Sequence, residues 1–512
     1  MAANKLLVTN VGELKAKYVK KYPRVEEAIS ELIKADAGRG ITSKLIALDD
    51  ARAMKRLGSR PVLDPASAKE TKEAIDGVWH AHDADYLAIL GAPDIVTHQN
   101  LLNPVYAPGD DDDFFAPSDL PYACDAPYSQ KIADFRGPTR VVGRIPDLNA
   151  LGDASYFTKV LRTAATHQPR SIANYMSYFG LSTQSWRKST ALSLDNIFGD
   201  SDALHRSPPQ GPHWRRSQLD ALSHFINCHG ASADTHFYGE RGNSQPIAME
   251  SAQLHRKVKR GTIVAAECCY GAQLFDPSIP GDMGICNRYL AQGAYAFFGS
   301  STIAYGPSEG NGAADWVCQF FIERVLNGAS TGRAALEARI GFIWFATHLD
   351  PTDLKTLAQF NLMGDPSITA VGKPKHKLQR TKVFRAAFDG DPEAVARALR
   401  RKRLRREGMT LDSTVGAARG ATDLHAPAKV RKALEASLRN ADLKPGASAS
   451  FTVDDPAIST LGRKLADTTP STFHIMQGSS TNREGRRKRH AVVVATVMDN
   501  EIVRLRRLHR RG

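Results

Sequence analysis

The sequence predicts an α/β fold: a doubly wound, mostly parallel sheet flanked by helices, followed by a small, basic α+β C-terminal region. Three observations carry this. The chain opens with a strand–helix–strand pattern, short buried strands recur along the body, and the charge divides sharply near residue 370. Residues 371–512 hold 31 Lys and Arg against 14 Asp and Glu, a net charge of +17, whereas residues 1–370 hold 37 against 40, a net of −3. A near-neutral body thus carries a basic tail, a pattern that marks a boundary and often an acidic partner.

The elements follow in order. "KLLVTN" (5–10) is a strand, and "PRVEEAISELIKAD" (23–36) is a helix with Pro23 at its start. Its apolar Val25, Ala28, Ile29, Leu32 and Ile33 fall at helical spacing. Gly38 and Gly40 punctuate before the strand "TSKLIALDD", completing a βαβ unit. Buried strands recur at "DADYLAILGAPD" (83–94), "LSHFINCHG" (222–230), "GTIVAAECC" (261–269) and "GAYAFFGSST" (293–302). Each ends in Gly or a polar cluster, and in doubly wound sheets ligands collect at the carboxyl ends of strands. The expected domains are an N-terminal βαβ subdomain (1–80), a catalytic α/β domain (81–372), a basic, mainly helical linker (373–445) and a small β-rich region (446–512). Within these, "DPEAVARALRRKRLRREG" (391–408) reads as a basic helix. The last strands are expected on either side of a turn at Met498-Asp499-Asn500-Glu501.

Composition narrows the setting. No apolar run approaches the roughly 20 residues of a membrane span, and "MAANKLLVTN" lacks the apolar segment of a signal peptide. Six cysteines (124, 228, 268, 269, 286, 318) are too sparse for a disulfide framework. A cytoplasmic location is the expectation. The long loop 107–128 is acidic and rich in proline, and its four consecutive aspartates, Asp110 to Asp113, could hold calcium; a solvated acidic turn is the alternative. No other cofactor is expected.

The chemistry lies at two strand ends. His229 is followed by Gly230, and Cys268 and Cys269 close what should be the neighbouring strand. A thiolate, a histidine to manage the proton of a leaving amine, and an unobstructed backbone N–H at Gly230 for an oxyanion together suit a cysteine peptidase. Singly, each residue has a plain core explanation, since a buried Cys is often an inert hydrophobe. Together at adjacent strand ends they favour a site.

These segments carry a resemblance. "DADYLAILGAPD", "SDLPYAC", "VVGRIPD", "FINCHG", "ECCYGAQL" and "FNLMGDPSIT" occur in an order that resembles the gingipain family of cysteine peptidases, in the caspase–gingipain–legumain clan, over residues 5–375. The resemblance implies a caspase-like fold and endopeptidase activity, with His229 as the catalytic histidine. Cys269 is favoured as the nucleophile, because a Cys-x-Gly pattern selects Cys269-Tyr270-Gly271; a Cys-x-x-Gly pattern would select Cys268. The family places an acid just before its "GR" strand, where this chain has Thr139 and Arg140, so no third catalytic acid is carried over. Asp147, Asp153 and Asp315 are candidates for a specificity pocket, and Trp316 for an apolar wall.

Two rival classes stand beside this one. A metal site of His224, Cys228, His229 and the cysteine pair lacks the spacing of known zinc motifs. A scaffold whose basic runs, "RRKRLRREG" and "REGRRKRH", bind nucleic acid or an acidic protein would need no catalysis. The favoured reading is a cytoplasmic peptidase acting on protein or peptide, with no membrane partner, that could cut itself within 373–406.

Overall fold

A parallel strand between two helical layers must bury both of its faces, and "KLLVTN" does so. The computed structural model describes residues 3–82, 84–346, 349–372, 419–420, 426–453, 471–481, 488–498 and 501–510. In it the segment forms β1 (Ala3–Thr9), with Leu6, Leu7 and Val8 all buried. β1 pairs in parallel with β2 (Ile41–Ala47) across the helix Tyr22–Gly38, which turns Val25, Ala28, Ile29 and Leu32 inward. An additional helix, Val11–Tyr18, lies in the same crossover. It buries only Leu14 and Tyr18, too few positions to leave a periodic signal.

The chain continues through β3 (Tyr86–Leu90), the hairpin strands β4 (Gln99–Leu102) and β5 (Phe115–Ser118), β6 (Val142–Ile145), β7 (Tyr178–Ser182) and β8 (Leu204–Arg206). Then come β9 (Ser223–Asn227), three short strands β10 (His229–Gly230), β11 (His236–Tyr238) and β12 (Ile247–Glu250), and β13 (Ile263–Ala266). β14 (Ala296–Ser300), β15 (Tyr305–Gly306) and β16 (Phe360–Met363) complete the body. Ten of these strands form one sheet in the order β2-β1-β3-β6-β16-β14-β13-β9-β7-β8. β16 runs parallel to β6 but antiparallel to β14, so two parallel halves meet at a single seam. Helices flank the sheet, and the α/β, mostly parallel architecture is the expected one.

The seam explains "FNLMGDPSIT". Gly364 sits at φ +140°, and a Cβ there would lie 2.6 Å from the Tyr295 carbonyl oxygen, so the backbone passes too close for any side chain. Asp365 then meets Lys5 of β1 at 2.5 Å, and Lys5 also reaches Asp36 at 2.9 Å, all three buried. One ammonium held by two carboxylates ties the first strand to the seam.

The C-terminal region forms a second sheet. The helix Ala428–Arg439 accompanies β17 (Arg419–Gly420), β18 (Lys444–Val453), β19 (Ser471–Thr481), β20 (Lys488–Met498) and β21 (Glu501–Arg510). Their order is β15-β21-β20-β19-β18-β17, so β15 of the body is an edge strand of this sheet. Alternation along β20 sets its two faces. Ala491, Val493, Ala495 and Val497 pack with Val430, Leu434 and Leu438 of the helix, whereas Val492 and Val494 join the core of the body with Phe473, Ile475 and Leu508. The region therefore shares the body's core. The strands β20 and β21 match expectation; Asp499 and Asn500 of their turn, the segment 373–418 and the basic helix expected over 391–408 lie outside the described residues. Among the described residues, no helix is long and apolar enough to cross a membrane.

Candidate active site

β9 and β13 are parallel neighbours, with Ile226 beside Ala266. Their carboxyl ends therefore bring "NCHG" next to "ECC". Beyond β9 the chain turns into β10, where His229 stands opposite Tyr238 and Gly230 opposite Phe237. A side chain at 230 would collide with the carbonyl oxygen of Cys269. The glycine is thus required by the close approach of the two strand ends, a reason additional to the open N–H that an oxyanion donor needs.

His229 is gripped on two sides. Its Nε2 lies 3.0 Å from Oε2 of Glu240, just past β11, and both side chains are largely buried. Trp186 of the loop after β7 packs edge-on against the imidazole, with ring centroids 4.7 Å apart. A carboxylate on one ring nitrogen fixes the orientation of the other. Glu240 escapes a reading of the sequence because its place depends on the antiparallel β10–β11 pairing. The only signal would have been an acid eleven residues after His229.

The two cysteines lie in the turn beyond β13, and their sulfurs take different partners. Cys268 Sγ lies 3.4 Å from the Cys228 amide nitrogen and 3.9 Å from the Ile226 carbonyl. It also faces the helix Ile285–Ala291: burial, and after it the nearby Cys268 thiol, push the Tyr289 phenol up. Cys269 Sγ accepts the amide N–H of Ala304 at 3.0 Å. The same sulfur lies 3.6 Å from the Ala304 carbonyl oxygen, to which its S–H donates. Burial pushes the thiols of Cys228 and Cys286 up, which suits inert packing.

The four aspartates of the acidic loop each have partners, and Asp111 and Asp113 share Lys355. Asp110 meets His490 of β20 at 2.6 Å, and Asp112 accepts the Gly109 amide at 2.6 Å. Asp111 accepts from Tyr305 at 2.7 Å and pairs with Lys355 at 2.5 Å; burial, outweighing that cation, holds its carboxyl above the usual range. Asp113 accepts from the Tyr270 hydroxyl at 2.9 Å and the Ile303 amide at 2.8 Å. It therefore clamps the residue after Cys269 to the segment whose Ala304 touches that cysteine. Tyr270 is held at φ +56°, a sparsely populated conformation for a non-glycine residue. Among the described residues, no group of three or more His, Cys, Asp or Glu is arranged to hold a metal ion.

The other expected residues have structural duties. Arg140 is buried between Asp76 and Asp125 and stacks over Trp79, and Thr139 bonds Asp125. Asp147 accepts from Tyr18 and Ala92 and pairs with Lys17, on the far half of the sheet. Asp153 caps the helix Ala154–Ala165, and Asp315 accepts the Gly312 amide at the start of the helix Ala314–Leu326. Trp316 packs against Phe342 and Phe345. His224 is buried, bonded to Tyr289 and the Ala221 carbonyl, and burial pushes its pKa down to about 4.

The model of peptidase family C25 matches residues 23–371, most of the body, and the chain belongs to that family of cysteine peptidases. No curated protein matches the chain.

Proposed function

We propose that this C25 peptidase cuts peptide bonds with Cys269 as nucleophile and His229 as general acid, Glu240 acting as the residue that positions His229. The observation that carries the reading is the convergence of two adjacent strand ends, one bearing a histidine gripped by a carboxylate and the other a sulfur facing a backbone N–H. The Cys269 thiolate attacks the scissile carbonyl, forming an S–C bond, while the N–H of Gly230 receives the developing oxyanion. As the C–N bond breaks, the His229 imidazolium gives its proton to the leaving amine. Water then attacks the thioester, a carboxylic acid leaves, and the proton released returns to His229 as the thiolate is restored. Glu240 keeps the imidazole oriented and its protonated form favoured throughout.

A cytoplasmic setting and self-cleavage within 373–406 belong to the same proposal. The first is supported by six cysteines that all sit buried as thiols, the second by the dense basic residues of that segment. Incubating the full chain with an iodoacetamide probe at neutral pH and mapping the label tests the active thiol. Residue 269 should label ahead of the other five and a diverse peptide library should be cleaved. Uniform slow labelling with no cleavage overturns the reading. Self-cleavage is read by intact mass: identical, uncut masses for wild type and Cys269→Ala remove it.

A further inference from the structure

β15 consists of two residues, Tyr305 and Gly306, and it begins directly after Ala304, whose N–H touches Cys269 Sγ. A peptide cut at Cys269 must hold its scissile carbonyl roughly 3–3.5 Å from that sulfur. Its adjoining backbone then needs an edge to run along, and extended peptides are commonly held by adding a strand to such an edge. Tyr305 is the next residue along, about 3.3 Å of strand away. One of the two edges of β15 is taken: β21 pairs antiparallel with it, Tyr305 opposite Arg510 and Gly306 opposite His509.

β21 is latched in place. Arg506 Nη1 lies 2.8 Å from Asp350 and 2.7 Å from Asp353, with its guanidinium largely buried and both carboxylates fully so. Asp350 also caps the helix Pro351–Gln359, which carries Lys355, the partner of Asp111. Leu508, between the latch and the β15 pairing, is buried in the body's core. A second latch, His490 to Asp110, holds β20 to the acidic loop. Both latches end on segments that brace the cysteine turn.

We infer that β21 is an autoinhibitory strand: it occupies the backbone edge beside the nucleophile that a peptide substrate would use, and the peptidase works fully only when β21 leaves. The inference rests on the proposed cysteine site. Because the strand is part of the same chain, its effective concentration at the edge is high, and a substrate in trans competes poorly until the latch weakens.

The test uses the full chain with Arg506→Glu, which reverses the latch, and Asp353→Asn, an isosteric change that weakens it with little risk to folding. Each is compared with wild type for peptide-library cleavage and for labelling of Cys269. Both variants should raise kcat/KM by about tenfold or more. The synthetic peptide EIVRLRRLHR, the sequence of 501–510, should suppress that gain competitively. Equal turnover and equal labelling by all three proteins overturns the inference while leaving the peptidase reading intact, as does a peptide without effect on the activated variants. Failure of every protein to label at 269 or 268, with no cleavage, overturns the peptidase reading itself.

Discussion

Glu240 Oε2 stands 3.0 Å from His229 Nε2, across a two-residue antiparallel ladder. This contact supplies His229 with a carboxylate from the hairpin that follows it, whereas the positions before the "GR" strand are Thr139 and Arg140. Glu240→Gln keeps the shape and removes the charge. It should lower kcat by roughly 10- to 100-fold with KM little changed. Losing the negative partner also disfavours imidazolium, so the alkaline limb of the pH–rate profile should move to lower pH. A purely structural Glu240 would leave that limb in place.

The diverging sulfurs of Cys268 and Cys269 separate two variants. Cys269→Ala should reduce kcat/KM by about a thousandfold or more. Cys268→Ala should retain most of the activity and lose about 1 kcal/mol of stability, from the small cavity left by the sulfur. The reversed pattern in kinetics would assign the chemistry to Cys268.

Gly230→Ala forces the two strand ends apart, because its Cβ meets the Cys269 carbonyl. We expect a loss of about 1–3 kcal/mol from overpacking, together with a fall in kcat, since His229 and Cys269 move relative to each other. Urea denaturation measures the first and steady-state kinetics the second. A variant with wild-type values in both would contradict the close approach.

His224 and His98 are buried, and burial pushes each pKa down to about 4. Unfolded, each titrates near 6.5. The folded pKa is depressed, so the unfolded chain binds more protons in between. The stability from each group is present above about pH 6.5 and is lost as pH falls toward 4, on the order of 3 kcal/mol per histidine. His224→Gln should flatten the fall in Tm across that window, the other buried histidines keeping part of the slope. An unchanged slope would mean that His224 is already protonated in the fold.

Much of the site was legible in the residues. Strands of continuous apolar character announce a parallel sheet, and a polar residue followed by glycine at a strand end announces a cleft, so "NCHG" and "ECCYG" stood out. Other parts were not. β15 and β10 have two residues each, too short for any alternation, and Glu240 lies in a hairpin whose pairing leaves no periodic trace. The acidic run was visible, but not its use, because Lys355 and Tyr305, its partners, are about 200 residues or more away in the chain.

The sequence by itself determined the α/β class and the cysteine-peptidase family, and it singled out the histidine and cysteines proposed as the dyad, since local burial patterns and ordered motifs are properties of the chain alone. Only the tertiary structure decided which side each sulfur faces, which carboxylate holds His229, and that the basic C-terminal region returns a strand to the edge beside Cys269. Those three depend on long-range register and close packing. They come from contacts between segments far apart in sequence, where the free energy of burial and of buried ion pairs selects one arrangement that no local pattern encodes.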